Sequence, residues 1–330
     1  MPAIFESLPG IEVPVSAISG HLAQLWTNYD AAGGPAAAAD DATATQLNVV
    51  MHLGLKTKPD EAAAQFRVIS AFSRRYPSRI VVLCPLHVDV AATEIRAKVF
   101  GECHIGKSKS DKRCVEFVML SYSRSARRFL ESAVSVCLST DLPLYYWAHG
   151  FSTSSGLADY RFLLGRSKRV LIDSARAPVD ALTFPWPNPS ALRDLVYSRL
   201  LSVRQGIGQF LAVYPPALLV DGLRVVTVQH SSALEAEGRV LSNWLRRRLA
   251  ACGANTAAVN FITTSPAAET RAGLVVGFDY GTSARRFQWS GDFAAGHALF
   301  EADYGSGPTT LSAATSLMNP ENALSEAMFF

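Results

Sequence analysis

No run of about 18 apolar residues occurs in the chain, so nothing in it reads as a transmembrane helix. The opening residues, Met1-Pro2-Ala3-Ile4-Phe5-Glu6-Ser7, lack the basic start and apolar stretch of a secretory signal. Cysteine is sparse and odd in number: five residues, at 84, 103, 114, 137 and 252, without C-x-x-C spacing. With no secretory signal, this predicts reduced thiols and a cytoplasmic protein. Charge is scarce too, at 18% of residues against about 25% in an average soluble chain. The net charge of +3 is too small to imply nucleic acid, and no basic stripe interleaves with aromatics. Basic residues cluster only at 107–113 and at Arg246-Arg247-Arg248, and both read as solvated surface.

The usual catalytic signatures are also missing. The seven histidines (21, 52, 87, 104, 149, 230, 297) include no pair at i, i+4 with a third ligand, so no zinc site is indicated. Cys103, His104 and Cys114 would offer three ligands where a structural zinc takes four. There is no G-x-S-x-G elbow. No G-x-G-x-x-G follows a strand and opens a helix, which argues against a dinucleotide-binding fold. No repeat of fixed period is found. The expectation is a protein without catalytic residues, metal or cofactor.

What is present is a large apolar fraction, 49% of 330 residues, enough for two cores. Residues 16–28 read as a short amphipathic helix, and 31–45, rich in Ala, Gly, Pro, Asp and Thr, as a linker. An alternation of strands (47–53, 79–84, a hairpin over 94–120, 142–147, 169–173) with helices (60–75, 124–138, 157–165) predicts a mixed, largely parallel sheet. Prolines 178, 185, 187 and 189 mark a boundary. Beyond it come a long helix over 190–213, a strand over 223–228, a helix over 233–251 and three or four closing strands between 257 and 302. Gly206-Ile207-Gly208 inside the long helix suggests close helix packing. The predicted fold is mixed α/β in two domains, each a mixed sheet flanked by helices: 1–44 N-terminal helix and linker, 45–178 and 179–305 the domains, 306–330 a tail.

One motif stands against this picture. Gly101-Glu102-Cys103-His104-Ile105-Gly106-Lys107-Ser108 matches the phosphate-binding pattern G-x-x-x-x-G-K-[ST]. Val170-Leu171-Ile172-Asp173 resembles the apolar strand whose aspartate would hold magnesium in a P-loop NTPase. A P-loop needs a buried parallel strand before the glycine and a helix after the lysine. Here Glu94-Ile95-Arg96-Ala97-Lys98-Val99-Phe100 alternates with period two, and 107–113 has no apolar residue to dock a helix. The context predicts an antiparallel hairpin with a basic loop.

Two strand ends, Trp147-Ala148-His149-Gly150 and Asp173-Ser174-Ala175-Arg176, fall where open α/β sheets place ligand or partner sites. Plain turn chemistry at Asp173 and Ser174, with Trp147 in the core, is the alternative. On the long helix, Asp194, Tyr197, Leu201 and Arg204 fall at i, i+3, i+7 and i+10 and share one face. Such a face reads either as a protein-interface anchor or as a contact with the other domain.

Several ordered stretches resemble the OpcA family, the glucose-6-phosphate dehydrogenase assembly and activator proteins. They are Leu47-Asn48-Val49-Val50, Tyr76-Pro77-Ser78-Arg79, Cys114-Val115-Glu116, Asp141-Leu142-Pro143-Leu144-Tyr145-Tyr146-Trp147, Arg169-Val170-Leu171-Ile172-Asp173-Ser174, and Asp194-Leu195-Val196-Tyr197-Ser198-Arg199-Leu200 followed by Arg204. The resemblance spans roughly residues 45–250. It implies an allosteric activator of the oxidative pentose phosphate pathway that binds the dehydrogenase and favours its active oligomer. It also implies no catalysis, with neither membrane nor nucleic acid as partner. Trp147, Asp173, Asp194, Tyr197, Arg199 and Arg204 are the partner-binding candidates. The resemblance further brings thiol control into view, with Cys103 and Cys114, which bracket the basic loop, as redox candidates that can form a disulfide stiffening it. The alternative for them is a pair of ordinary strand cysteines.

Overall fold

The computed structural model describes residues 4–31, 45–86, 94–105, 112–265, 273–282 and 285–330. It contains two compact units, Met1–Asp194 with Leu324–Phe330, and Leu195–Ala323. The division falls 16 residues beyond the 178/179 boundary read from the prolines, because the chain first adds one more strand to the first sheet.

The first unit runs α1 (Ile4–Ser7), β1 (Ile11–Val13), α2 (Ile18–Ala31), β2 (Leu47–Leu53), α3 (Pro59–Ser73), β3 (Ser78–Pro85), β4 (Arg96–Ile105), β5 (Lys112–Tyr122), α4 (Leu130–Cys137), β6 (Leu144–His149), α5 (Arg161–Leu164), β7 (Arg169–Ile172) and β8 (Leu192–Asp194). Its eight strands lie in the order β1-β4-β5-β3-β2-β6-β7-β8. The six from β5 to β8 are parallel, and β4 and β1 add antiparallel at one edge. In the order of their appearance, the parallel strands form a doubly wound sheet that reverses direction at β2 and β6. The missing glycine fingerprint therefore did not exclude this topology.

Strand β2 shows why the sheet is parallel at its centre. All seven of its residues are buried, as a strand covered by helices on both faces requires. Its two polar members are paired. Asn48 donates from Nδ2 to the carbonyls of Ser139 (2.8 Å) and Leu142 (3.2 Å) and accepts from the Ser139 N–H (3.1 Å). His52 bonds Tyr146 and Tyr122. One face of the sheet packs Val50, Val81, Val118 and Tyr146 against Leu130, Val134 and Leu163 of α4 and α5. On α3 the stripe Ala62, Phe66, Ile69 and Phe72 is buried, with Phe66 4.5 Å from Phe117 between ring centroids.

The hairpin reading holds. Strand β4 pairs antiparallel with β5 from Arg96↔Ser121 to Ile105↔Lys112. Gly101 to Ile105, which a P-loop needs as a turn, are therefore strand. Gly106, Lys107 and Ser108 lie outside the described residues. Directly opposite each other in this ladder, Cys103 and Cys114 are joined as a disulfide, with Cα atoms 4.1 Å apart. Two of the five thiols expected to be reduced are thus paired, while Cys84, Cys137 and Cys252 are free.

The second unit comprises α6 (Leu195–Arg199), α7 (Leu201–Leu211), α8 (Pro216–Val220), β9 (Val225–His230), α9 (Glu235–Ala251), β10 (Asn260–Thr264), β11 (Leu274–Asp279), β12 (Arg285–Asp292), β13 (His297–Tyr304), β14 (Thr309–Ala314) and the start of α10 (Pro320–Phe329). Its six-stranded sheet is ordered β10-β9-β11-β12-β13-β14, antiparallel except for the β9–β10 pair. Val203, Ile207, Leu241 and Leu245 from α7 and α9 pack on Val226, Val276, Phe287 and Phe300 from the strands.

Three expectations need correction here. The long helix over 190–213 is broken into β8, α6 and α7, because Leu192–Asp194 pair with Val170–Ile172 of β7 and tertiary pairing overrides local helix pattern. Neither Gly206 nor Gly208 sits at a close helix contact. A Cβ on Gly206 would lie 3.7 Å from Phe300, an ordinary distance, and one on Gly208 would meet nothing within 4 Å. Residues 306–330 are no tail, since they form β14 and α10. In the first unit, Phe329 stacks on Phe72 at 6.2 Å and meets Tyr76 at 4.7 Å and Tyr145 at 6.0 Å.

Two stability changes follow. Gly208→Ala should raise stability by up to about 1 kcal/mol, the helix-propensity difference with no clash to offset it. Phe329→Ala should lower it by about 2 kcal/mol, less than a fully buried aromatic because the ring is half-exposed. Urea unfolding of both variants reads the two signs.

Candidate functional site

The carboxyl ends of the parallel strands, where doubly wound folds place ligands, carry a connected polar cluster. Helix α3 begins at Pro59, whose missing N–H costs nothing at a first helical position. Two residues on, Glu61 turns its carboxylate back to accept the Lys58 N–H at 3.4 Å. The same carboxylate accepts from His149 Nε2 at the end of β6 (3.0 Å) and pairs with the Arg176 guanidinium beyond β7. A carboxylate only accepts, so His149 carries its hydrogen on Nε2. Burial holds His149 below its ordinary pKa, outweighing the opposite pull of the Asp173 charge, so the ring is neutral and still donates.

The loops after β2 and β6 are pressed together at the point where strand order reverses. Gly54 donates its N–H to the His149 carbonyl at 2.6 Å, and the Lys56 N–H reaches the Gly150 carbonyl at 3.3 Å. Gly150 has φ +67°, and a Cβ on Gly54 would stand 2.5 Å from the Gly150 oxygen. Both positions need glycine, one for its backbone conformation and one for close approach. A dinucleotide pyrophosphate would need this crevice and the start of α3. Glu61 puts a like charge at that helix start, so the residues there do not fit a pyrophosphate.

Beyond β7 the chain is organised by its own side chains. Asp173 accepts the Ala175 N–H on Oδ1 (3.0 Å), and its carbonyl accepts from the Arg176 and Ala177 N–H groups. Asp194, at the end of β8, accepts the N–H (3.0 Å) and hydroxyl (2.7 Å) of Ser174. Asp173 and Asp194 thus fix the turn that carries Arg176. The following segment is anchored by buried Ala181 and Trp186, whose Nε1 donates to the Ala181 carbonyl at 2.8 Å, and by Ser154 bonded to Asp180 at 3.0 Å. From that fixed base Val179 and Leu182 project, 97% and 49% exposed.

The remaining candidates are placed differently from their sequence reading. Trp147 is buried in β6, its ring edge-on to His149 at 6.1 Å, and offers no surface to a partner. Asp194 lies on a strand, so the proposed helix face does not exist as drawn. In the second unit Arg204 lies over the Tyr197 ring at 3.6 Å, but it is buried, and a glutamate there would disrupt the core before it tested an interface. Arg199 is paired with buried Glu237 at 2.9 Å. Sequence reasoning missed Glu61, which looked like an ordinary first-turn acid, and the exposed Val179 and Leu182, which sit among prolines without periodicity.

The first unit is therefore an α/β domain of doubly wound topology. Residues 69–184, from within α3 to just past β7, match the OpcA family model described as glucose-6-phosphate dehydrogenase subunit N-terminal domain. No curated protein matches the chain. Among solved structures it is similar to an aldose-aldose oxidoreductase from Caulobacter crescentus complexed with glycerol, at 10% identity and a TM-score of 0.40 over 84% of this chain and 87% of that one. It is also similar to dipicolinate-bound dihydrodipicolinate reductase from Paenisporosarcina sp. TG-14, at 10% identity and a TM-score of 0.31 over 86% and 92% of the two chains. Likenesses so slight carry no functional weight. Among the described residues no helix is long and apolar enough to cross a membrane.

The cluster makes stability pH-dependent with a definite sign. The unfolded chain protonates His149 near 6.5, the folded chain only lower. Between those values the unfolded state binds more protons, so stability falls as pH drops below about 6.5. His52, pushed down to about 3 by burial, acts in the same sense. His149→Gln should flatten the acid limb by at most about 1.4 kcal/mol per pH unit, the linkage of one proton. Chemical denaturation from pH 7 to 5 measures the slope. Gly54→Ala should cost more than about 2 kcal/mol, because its Cβ meets backbone that cannot step aside.

Proposed function

We propose that this protein is a non-catalytic partner of glucose-6-phosphate dehydrogenase that binds the dehydrogenase and favours its active oligomer in the cytoplasm. The observation that carries this reading is the match to the OpcA family model over residues 69–184. The Glu61 carboxylate at the start of α3, which would repel a pyrophosphate, supports a binding role over a dinucleotide-dependent one. The segment after β7, inside the matched stretch, supplies the docking surface. Val179 and Leu182 are apolar, exposed and held on buried anchors, so little side-chain or loop entropy is lost on contact. Arg176, also exposed at this edge, adds a charged contact. Activation requires tighter binding to one oligomer or conformation of the dehydrogenase than to another.

The test is dehydrogenase activity and co-purification with and without this protein. Val179→Asp, at a site almost wholly in solvent, should leave stability within about 0.5 kcal/mol. It should weaken binding at least about tenfold, as loss of an interface anchor does. A dehydrogenase whose activity and oligomer are indifferent to the protein rejects the role; full activation by Val179→Asp rejects the surface.

The Cys103–Cys114 bond supports a thiol-controlled form of this activity. Two-electron reduction by an added dithiol yields two thiols and frees the end of the β4–β5 hairpin. The bond contributes less than the ~3 kcal/mol of a 15-residue loop, because strand pairing already holds the two residues together. Dithiothreitol should change the activation given by wild-type protein and leave Cys103→Ser/Cys114→Ser unaffected. An equal response of both proteins overturns thiol control at this pair.

A further inference from the structure

A cavity of about 440 Å³ opens over the carboxyl ends of β2, β3 and β5, walled on another side by the loop after β6. The size is within the range of small-molecule sites, about 300–1,000 Å³. It borders the Glu61 cluster at Gly54 and has neither Glu61, His149 nor Arg176 in its walls. Its apolar wall includes Leu86, Phe151 and Leu157.

Three polar members of the wall, His52, Tyr122 and Tyr160, belong to a buried chain of four groups completed by Tyr146, and Tyr160 also accepts a hydrogen bond from Arg127. Tyr146 OH and His52 Nδ1 are 2.5 Å apart, His52 Nε2 and Tyr122 OH 3.3 Å, and Tyr122 OH and Tyr160 OH 2.7 Å. All four side chains are at most 5% exposed. With His52 neutral, each group brings one hydrogen, and three bonds consume three of the four. The spare cannot stay on Tyr146 without leaving a buried hydroxyl unsatisfied, since among the described residues His52 is its one partner. Tyr146 therefore donates to His52, His52 donates to Tyr122, and the surplus hydrogen falls to Tyr122 or Tyr160. Both of these line the cavity. The fold thus aims a hydroxyl donor into the space.

The charges agree in sign with that donor. Arg127 is paired with Asp159 at 2.6 Å, and both line the cavity. Arg124, also on the wall, is exposed and has no ion pair or hydrogen bond among the described residues. Two guanidiniums against one carboxylate leave one net positive charge.

From this juxtaposition we infer that the cavity binds a small organic oxyanion, a carboxylate or phosphate monoester, with its charged end on Arg124 and the Tyr122–Tyr160 hydroxyls and its body against Phe151 and Leu157. A planar guanidinium bonds either oxyanion through two parallel hydrogen bonds, and the buried hydroxyl fixes the orientation. The site lies on the regulator itself and stands whether or not the dehydrogenase is its partner.

Isothermal titration of the full chain with sorbitol 6-phosphate, gluconate and sorbitol tests it, the first two distinguishing phosphate from carboxylate. At least one of the two anions should bind saturably with a Kd below about 1 mM, and sorbitol should not. Arg124→Ala, an exposed side chain with no partner to lose, should weaken that binding at least about tenfold, the scale of a charge-assisted pair. Tyr160→Phe should weaken it without changing the number of sites. Overturning results are saturable binding by neither anion below about 10 mM, equal binding of sorbitol, or unchanged affinity in Arg124→Ala.

Discussion

The carboxylate of Glu61 holds together three pieces of chain that have no local reason to meet. It closes the first turn of α3, takes the hydrogen of His149 at the end of β6, and pairs with Arg176 beyond β7. Its position is set by backbone, since the loops after β2 and β6 touch through Gly54 and Gly150 with no room for a Cβ between them. The carboxyl edge of the sheet is rigid for this reason, and the turn built on Asp173, Ser174 and Asp194 inherits that rigidity. A surface offered to a partner from such a base needs little ordering on contact.

The fold was legible wherever one physical rule dominated. The largely apolar run of β2, the amphipathic stripe of α3 and the alternation of β4 each identified their element, and the last disposed of the G-x-x-x-x-G-K-S match without reference to any structure. Long-range pairing hid the rest. Leu192–Asp194 carry a helical pattern but complete an edge of the sheet, and β14 and α10 lie in a polar, small-residue stretch whose order comes from neighbours 170 and more residues away for Phe329. The missing G-x-G-x-x-G was informative about chemistry but not about topology, since the strand order is doubly wound without it.

The candidate residues were legible by element but not by burial. The strand ends at His149 and Asp173 were singled out because parallel sheets converge there, and the structure joins them in one polar cluster. The individual side chains were misjudged wherever burial decided. Trp147 and Arg204 look like interface anchors by residue type, yet both are interior. Glu61 and Tyr160, which do the organising, look ordinary because their roles depend on partners 88 and 38 residues away.

Phe329 has a consequence for the order in which the molecule can be made. The ring that covers Phe72, Tyr76 and Tyr145 is the next-to-last residue of the 330, while the sheet it covers is built from the first 194. A ribosome delivers the amino-terminal sheet long before the piece that finishes its surface. Until residue 329 has left the ribosome, the nascent unit carries these rings uncovered, an aromatic patch that a chaperone can recognise.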